Sequence, residues 1–407
     1  MGRVVGSVLC VLALVVTALY GWRIGWFASM TGNDAAASSA TADAARNTPQ
    51  QLARSAAPKP DPSPASKAHR MVNAMDMDTR IGQLVMAPLY AGNDPASLAS
   101  LIADRHVGSV LIIGKWTGGV ASVRAAADQL QGYAPGDNRL IISTDQEGGW
   151  VQHLIGPGFD RMPTAVDQGT MSTDQLRQSA SVWGSQLAAA GINVDLAPVL
   201  GTVVANRAAN APIGALYRDF GLDAAGNAAQ GTAFVQGMAD AGVQSAIKHY
   251  PGLGAVTGNT DFTADGILDT TTTLDGTEIK AFDTTIDQAD PAMVMMALAT
   301  YQAIDPNDPA VFSSIIIDGH LRGDLGYDGV VISDSMSAAA VSAYDTTQLG
   351  VKLVEAGSDL ACIGYTNYVA PILDGLSTRA ASDPAFANEV TQSAIRVMTL
   401  KIKMGLA

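Results

Sequence analysis

Cysteine is nearly absent. The 407 residues hold two, Cys10 and Cys362, so far apart in sequence and context that neither a disulfide framework nor a cysteine-based metal site is expected. Positive charge is scarce too, with 24 Lys plus Arg against 38 Asp plus Glu, a net charge of −14, and no basic cluster anywhere. Neutralising a phosphate backbone needs such clusters, which argues against nucleic acid as a main partner and favours a neutral or cationic small ligand. What is present is a chain with 48% hydrophobic residues and 41 Gly, too apolar and too Gly-rich for a disordered acidic polymer.

The first 30 residues differ from the rest. Residues 4–20 form an apolar run of 17 behind Arg3, covering roughly 25 Å as a helix, a little short of a bilayer core. Trp22 and Trp26 would extend it at the interface. No small-x-small cleavage site follows, so residues 1–30 read as an uncleaved membrane anchor in preference to a removed export signal. Leu9 stands before Cys10 where a lipidated cysteine usually has a small residue, which argues against lipidation. Between 31 and 69 there is one Leu, no aromatic, and no Val or Ile among many Ala, Ser, Pro and Asp. Such a stretch cannot bury a core, and residues 31–70 are expected to be a disordered tether. Anchor plus tether implies an extracytoplasmic domain, residues 71–407, membrane-held or secreted.

From Met71 onward, short apolar runs alternate with Ala-rich or amphipathic segments. Buried strands are predicted at 83–89, 108–113, 140–143, 194–197, 244–248, 293–297, 329–333 and 359–363, with helical stretches such as 122–132, 173–190 and 224–241 between them. Eight strand-then-helix units in one α/β domain are the arithmetic of a (β/α)8 TIM-type barrel. The competing architecture is a doubly wound open sheet, but no Gly-x-Gly-x-x-Gly follows the first strand to recommend a dinucleotide fold. In a barrel, chemistry sits in the loops after the C-terminal strand ends.

Three strand ends carry unusual residues. The third runs into Asp145-Gln146-Glu147-Gly148-Gly149 and on to His153. Asp145 there suits sugar hydroxyls, with a turn or helix cap as the bland alternative. The fifth ends in Lys248-His249-Tyr250-Pro251-Gly252, where burying charge without a partner is costly, so the pair points to function. The seventh delivers Asp334, followed by Ser335 and Met336, into the barrel mouth.

Together these segments resemble glycoside hydrolase family 3, in its single-domain β-N-acetylglucosaminidase (β-hexosaminidase) form. The matching stretches are Asp145-Gln-Glu-Gly-Gly, Lys248-His-Tyr-Pro-Gly-x-Gly and Val331-Ile-Ser-Asp334-Ser-Met. Supporting pieces are Gly191-Ile-Asn-Val-Asp-Leu-Ala-Pro198, Ile213-Gly with Arg218-Asp-Phe220, and Arg161-Met-Pro163. The resemblance implies a retaining mechanism with Asp334 as the nucleophile, and Asp145, Arg218, Lys248 and His249 holding the sugar in the first subsite.

Two departures from the family stand out. Where it carries an Asp-Ser-His loop whose His is the acid/base, this chain has Asn259-Thr260-Asp261. Only 44 residues follow Ile363, too few for the second domain from which larger relatives take their acid, so the acid must come from a barrel loop. Asp261 is the candidate, with Asn259 as its hydrogen-bond partner and Glu147 a distant second. His153 and Trp150 also stand where the family commonly has arginines; His153 would contact the sugar with less certain charge, and Trp150 would either stack on a sugar face or cover the loop. The expected activity is removal of terminal β-linked N-acetylglucosamine or a related hexoside, with cell-wall fragments as natural substrates and peptidoglycan turnover as the setting. No metal or organic cofactor is implied, since two carboxylates suffice. The alternative is a catalytically impaired sugar-binding surface protein on the same barrel.

Overall fold

The computed structural model describes residues 61–407 apart from 265 and 266. Eight parallel strands surround one axis: β1 (Val85–Tyr90), β2 (Ser109–Ile113), β3 (Ile141–Thr144), β4 (Val194–Asp195), β5 (Gln244–Tyr250), β6 (Met293–Met296), β7 (Val330–Ser333) and β8 (Ala361–Cys362). Hydrogen bonding runs in the order β7-β6-β5-β4-β3-β2-β1-β8. A parallel bridge between Ile332 and Leu360 joins the ends of that series, with Ser333 N–H donating to the Leu360 carbonyl at 2.9 Å. That closure makes the sheet a barrel and excludes the open doubly wound alternative.

Alternation along the strands explains the two cores. Met86, Leu111, Ile141, Val194, Ala246, Met293, Val330 and Cys362 fill the barrel interior, while their neighbours Val85, Ala87, Val110, Ile112, Ile142, Ile247, Val294 and Val331 face the helical layer. Parallel strands buried on both faces read as continuous apolar runs, which is why all eight were visible in the sequence. Cys362 is a free, buried cysteine. The predicted helices fall at Gly119–Gln131, Thr173–Ala189 and Ala224–Asp240. Ser172 and Gln175 form a capping box at the start of the second, and Asp223 caps the third. These two helices pack closely, and a Cβ on Gly237 would stand 2.3 Å from the Arg177 carbonyl.

The C-terminal helix Pro384–Lys403 closes the far end of the barrel, contributing Val397 and Leu400 to the interior. Its Lys401 is fully buried and donates to Gln83 Oε1 at 2.8 Å and Asn138 Oδ1 at 3.0 Å. Burial without a carboxylate partner lowers this amine to about 7.

The boundary of the expected tether needs correcting. A helix starts at Pro64, capped by Ser63, and runs to Ala74. It buries Ala68 and Val72 against the C-terminal helix, and Lys67 Nζ donates to the Ala407 carbonyl at 2.9 Å. Two buried side chains and a partner helix suffice for order where composition alone suggested none. The expected anchor at 1–30, and most of the tether, lie outside the described residues; among those described, no helix is long and apolar enough to cross a membrane.

Candidate active site

The C-terminal strand ends enclose a cavity of about 410 Å³. Its lining includes Asp145, His153, Arg218, Lys248, His249, Asp261 and Asp334, but neither Glu147 nor Trp150. A register shift where β5 passes β6, between Lys248 and Tyr250, inserts His249 as an extra residue. Strand alternation would turn consecutive side chains to opposite faces, and the bulge lets Lys248 and His249 both line the cavity.

Beneath the cavity lies a clamp of opposite charges. Asp145 follows β3 directly, and Gln146–Gly148 then pairs with Val151–Gln152 in a short hairpin. Its turn uses Gly148 at φ +97° and Gly149 at φ +54°, and a Cβ on Gly148 would meet the Pro163 carbonyl at 2.3 Å. Asp145 and Glu147, two residues apart, converge on one amine. Lys248 Nζ lies 2.5 Å from Asp145 Oδ1 and 2.7 Å from Glu147 Oε1. Glu147 also accepts from Arg218 Nη2 at 2.7 Å and Nε at 2.9 Å, while Arg218 Nη1 donates to the Pro212 carbonyl at 2.8 Å.

These partners fix the charges. Burial by itself would raise Glu147, but Arg218 and Lys248 outweigh it and hold the carboxyl well below its ordinary range. Burial opposes the charged forms of Lys248 and Arg218 as well, yet the facing carboxylates win and keep both cationic. Glu147 therefore stays ionised and cannot serve as the acid for which it was the runner-up. Burial, aided by Arg218 and Lys248, drives His249 far below the usual histidine value, leaving a neutral ring whose Nε2 is 3.9 Å from Asp334 Oδ2. His153, with Nε2 3.7 Å from Asp145 Oδ2, is also lowered, chiefly by burial. Where an arginine would carry a fixed charge, this chain thus presents a neutral imidazole.

Asp334 leaves the end of β7 with its Oδ1 accepting the Ser335 N–H at 2.7 Å. Burial first, and the charge of Asp261 second, raise it to about 7 against the opposing pull of Ser335, Lys248 and Arg218. Asp261 lines the same cavity from a loop open to solvent, and its pKa rises through burial of the carboxyl and the nearby Asp145 charge. The Asp261 charge thus bears directly on the ionisation of Asp334. Asn259 holds Asp261 differently from the sequence expectation: its Oδ1 accepts the backbone N–H of Asp261 at 2.9 Å, not the carboxyl. Trp150 is 75% exposed and takes no part in lining the cavity. Among the described residues, no group of three or more His, Cys, Asp or Glu side chains is arranged to hold a metal ion.

Residues 76–400 match the family description "Glycosyl hydrolase family 3 N terminal domain". The chain belongs to glycosyl hydrolase family 3. This family 3 chain is 41% identical to a β-N-acetylhexosaminidase of Beutenbergia cavernae, whose crystal structure aligns with a TM-score of 0.77 over 79% of this chain and 97% of that one. It is 31% identical over 319 residues to "Beta-hexosaminidase LpqI" of Mycobacterium tuberculosis, spanning 76% of this chain and 79% of the relative. A family 3 β-N-acetylglucosaminidase from a Paenibacillus strain aligns with a TM-score of 0.71 at 30% identity, over 82% of this chain and 63% of that one. The protein is thus a glycoside hydrolase of the β-hexosaminidase-like kind.

One role and one residue of the family 3 site escaped sequence reasoning. Glu147 is the hub that joins Lys248 to Arg218, and the Asp-Gln-Glu spacing after β3, which sends two carboxylates the same way, was the available signal. Asp195 at the end of β4 is fully buried, accepts the Gln146 N–H at 2.9 Å, and is pushed by burial to about 8. A lone Asp in an apolar run gave no hint that it stays protonated beneath the loop bearing Asp145 and Glu147.

Proposed function

We propose that the protein is a retaining glycosidase that removes terminal β-linked N-acetylglucosamine, or a closely related hexoside, through a covalent glycosyl-enzyme on Asp334. The observation that carries this reading is the pairing of Asp334 with Asp261 across one cavity, beside two cations locked in place by Glu147 and Asp145. Asp261 protonates the departing oxygen while an Asp334 oxygen attacks the anomeric carbon. Water, deprotonated by Asp261, then breaks the ester and restores both carboxyls. Lys248, Arg218, Asp145, His249 and His153 orient the ring and strengthen their contacts as charge develops.

The choice of sugar follows relatives named for β-hexosaminidase and β-N-acetylhexosaminidase activity. An extracytoplasmic location follows the apolar start of the chain and a relative described as a secreted glycosyl hydrolase, and cell-wall fragments are the substrates such a location offers. The replacement of the family's acid/base His by Asp261 favours one competing reading, a sugar-binding protein that has lost turnover. A panel of aryl β-glycosides separates the two. Release of aryl alcohol by the wild type and its loss in Asp334→Asn support hydrolysis. Binding of N-acetylglucosamine by calorimetry with no release from any glycoside supports the binding protein.

A further inference from the structure

The mouth of the barrel carries aromatic surface that the chemistry at Asp334 and Asp261 does not use. Tyr90, at the end of β1, and Tyr365, shortly after β8, stack with centroids 6.5 Å apart and planes 11° from parallel. Their strands are neighbours in the barrel. Tyr365 is still 57% exposed after this contact, and Phe262, next to Asp261, is 84% exposed. All three rings line the cavity that holds Asp334. Large apolar side chains left open around a polar cavity mark a binding surface.

Hydrogen bonds tie these rings to the catalytic loops. The N–H groups of Gly364 and Tyr365 donate to Ser337 Oγ at 2.8 and 2.9 Å. Ala340 and Ala339 N–H groups donate to the carbonyls of Thr260 and Asp261 at 3.0 and 3.3 Å. The β8 loop, the turn after Asp334 and the Asp261 loop therefore form one connected rim. Burial raises the Tyr90 hydroxyl, and Tyr365 and Asp261 add to the rise, so Asp261 stands near this aromatic pair.

The charged groups under the cavity, Lys248, Arg218 and Asp145, can satisfy the hydroxyls of one ring. Aromatic faces suit something else, the C–H face of a sugar, and rigid side chains order at little entropic cost when they bind it. We propose that Tyr365, backed by Tyr90, and Phe262 form a subsite for the second sugar ring of a β-linked oligosaccharide, on the leaving-group side of the cleaved bond. The preferred substrate is then a glycan and not a simple glycoside. Which side the subsite occupies rests on the proposed role of Asp261 as the acid.

The test compares kcat/KM for the β-1,4-linked disaccharide of N-acetylglucosamine with that for its methyl β-glycoside, in wild type, Tyr365→Ala, Tyr365→Trp and Phe262→Ala. Each alanine variant should lose about 2- to 12-fold on the disaccharide, the effect of one aromatic contact. The methyl glycoside should be unaffected, and Tyr365→Trp should retain the wild-type preference. Equal losses on both substrates, or no loss on the disaccharide, overturn the subsite. If the wild type cleaves neither, the proposed function fails and calorimetry decides the subsite. It stands if the disaccharide binds more tightly than the monosaccharide and Tyr365→Ala erases the difference, and it falls if the two sugars bind wild type equally.

Discussion

Replacing Glu147 by Gln removes one negative charge from between two buried cations. The Glu147 side chain is 3% exposed, Lys248 1% and Arg218 15%, so solvent cannot compensate. Lys248 keeps Asp145, but Arg218 loses its only carboxylate partner among the described contacts. Breaking a buried pair in this way costs about 3–5 kcal/mol. With an unfolding entropy of about 2.1 cal/mol/K per residue over roughly 340 residues, that cost lowers Tm by about 4–7 °C. The surface pair Arg177–Asp240, with both side chains nearly half exposed, supplies the control. Asp240→Asn should leave Tm nearly unchanged, because water and salt screen an exposed pair. The pH dependence carries a sign. Because Glu147 is held below its unfolded value near 4.3, its contribution is fully present above that pH. Below it, the advantage of wild type over Glu147→Gln should shrink by about 1.4 kcal/mol per pH unit. Calorimetry between pH 3 and 7 reads both effects. A Glu147→Gln protein melting within 1 °C of wild type at pH 7, or a gap that stays constant down to pH 3, would refute the clamp.

Further outcomes follow from the same geometry. Asp261→Ala should slow glycosides with poor leaving groups by roughly 10²–10⁴-fold and activated ones far less, with azide restoring part of deglycosylation; equal losses on both kinds would remove Asp261 from the acid/base role. Asp261→Asn deletes a charge that raises Asp334, so the acidic limb for covalent inactivation by a fluorinated glycosyl fluoride should move to lower pH, and an unmoved limb would show that the carboxyls do not interact. Asp219 is buried and holds Arg207 through contacts of 2.6 and 2.7 Å beside Arg218. Asp219→Asn should therefore raise KM by roughly tenfold, the worth of about 1.4 kcal/mol of lost positioning, with a smaller change in kcat, and a change confined to kcat would contradict this. Lys401 loses its proton near 7 in the fold and near 10.4 when unfolded. The unfolded chain binds more protons between those values, so wild type should gain stability relative to Lys401→Met from pH 7 to 10, as read by chemical denaturation, and a flat difference would refute it.

The barrel was legible because each strand is buried on both faces. Its limits were less so: β5 continues beyond Lys248, where sequence reasoning ended it, through His249 to Tyr250, since the bulge admits His249 and burial keeps its ring neutral. The strands Leu268–Asp269, Thr300–Tyr301 and Asp305–Pro309 form a small sheet that Asp-Pro-Asn-Asp-Pro disguises as turn. The helix at Pro64–Ala74 owes its order to a partner more than 300 residues away, a tertiary effect that local composition cannot reveal. At the site, sequence reasoning, from strand ends for Asp145, Lys248, His249 and Asp334 and from the family resemblance for His153, Arg218 and Asp261, located seven residues that line one cavity. It could not assign Glu147, because its ionisation depends on Arg218 arriving from a loop 71 residues later. The rim aromatics went unread for a similar reason, since Tyr90 and Tyr365 become neighbours only when β1 pairs with β8.

The central claim, a glycosyl-enzyme formed on Asp334, is tested most directly by trapping it. Incubation with a fluorinated N-acetylglucosaminyl fluoride, peptide digestion and mass spectrometry should find one added sugar per protein, on the peptide carrying Asp334 and absent from Asp334→Asn. Turnover of glycosides without any label at Asp334, or with the label on a different carboxylate such as Asp261, would contradict it.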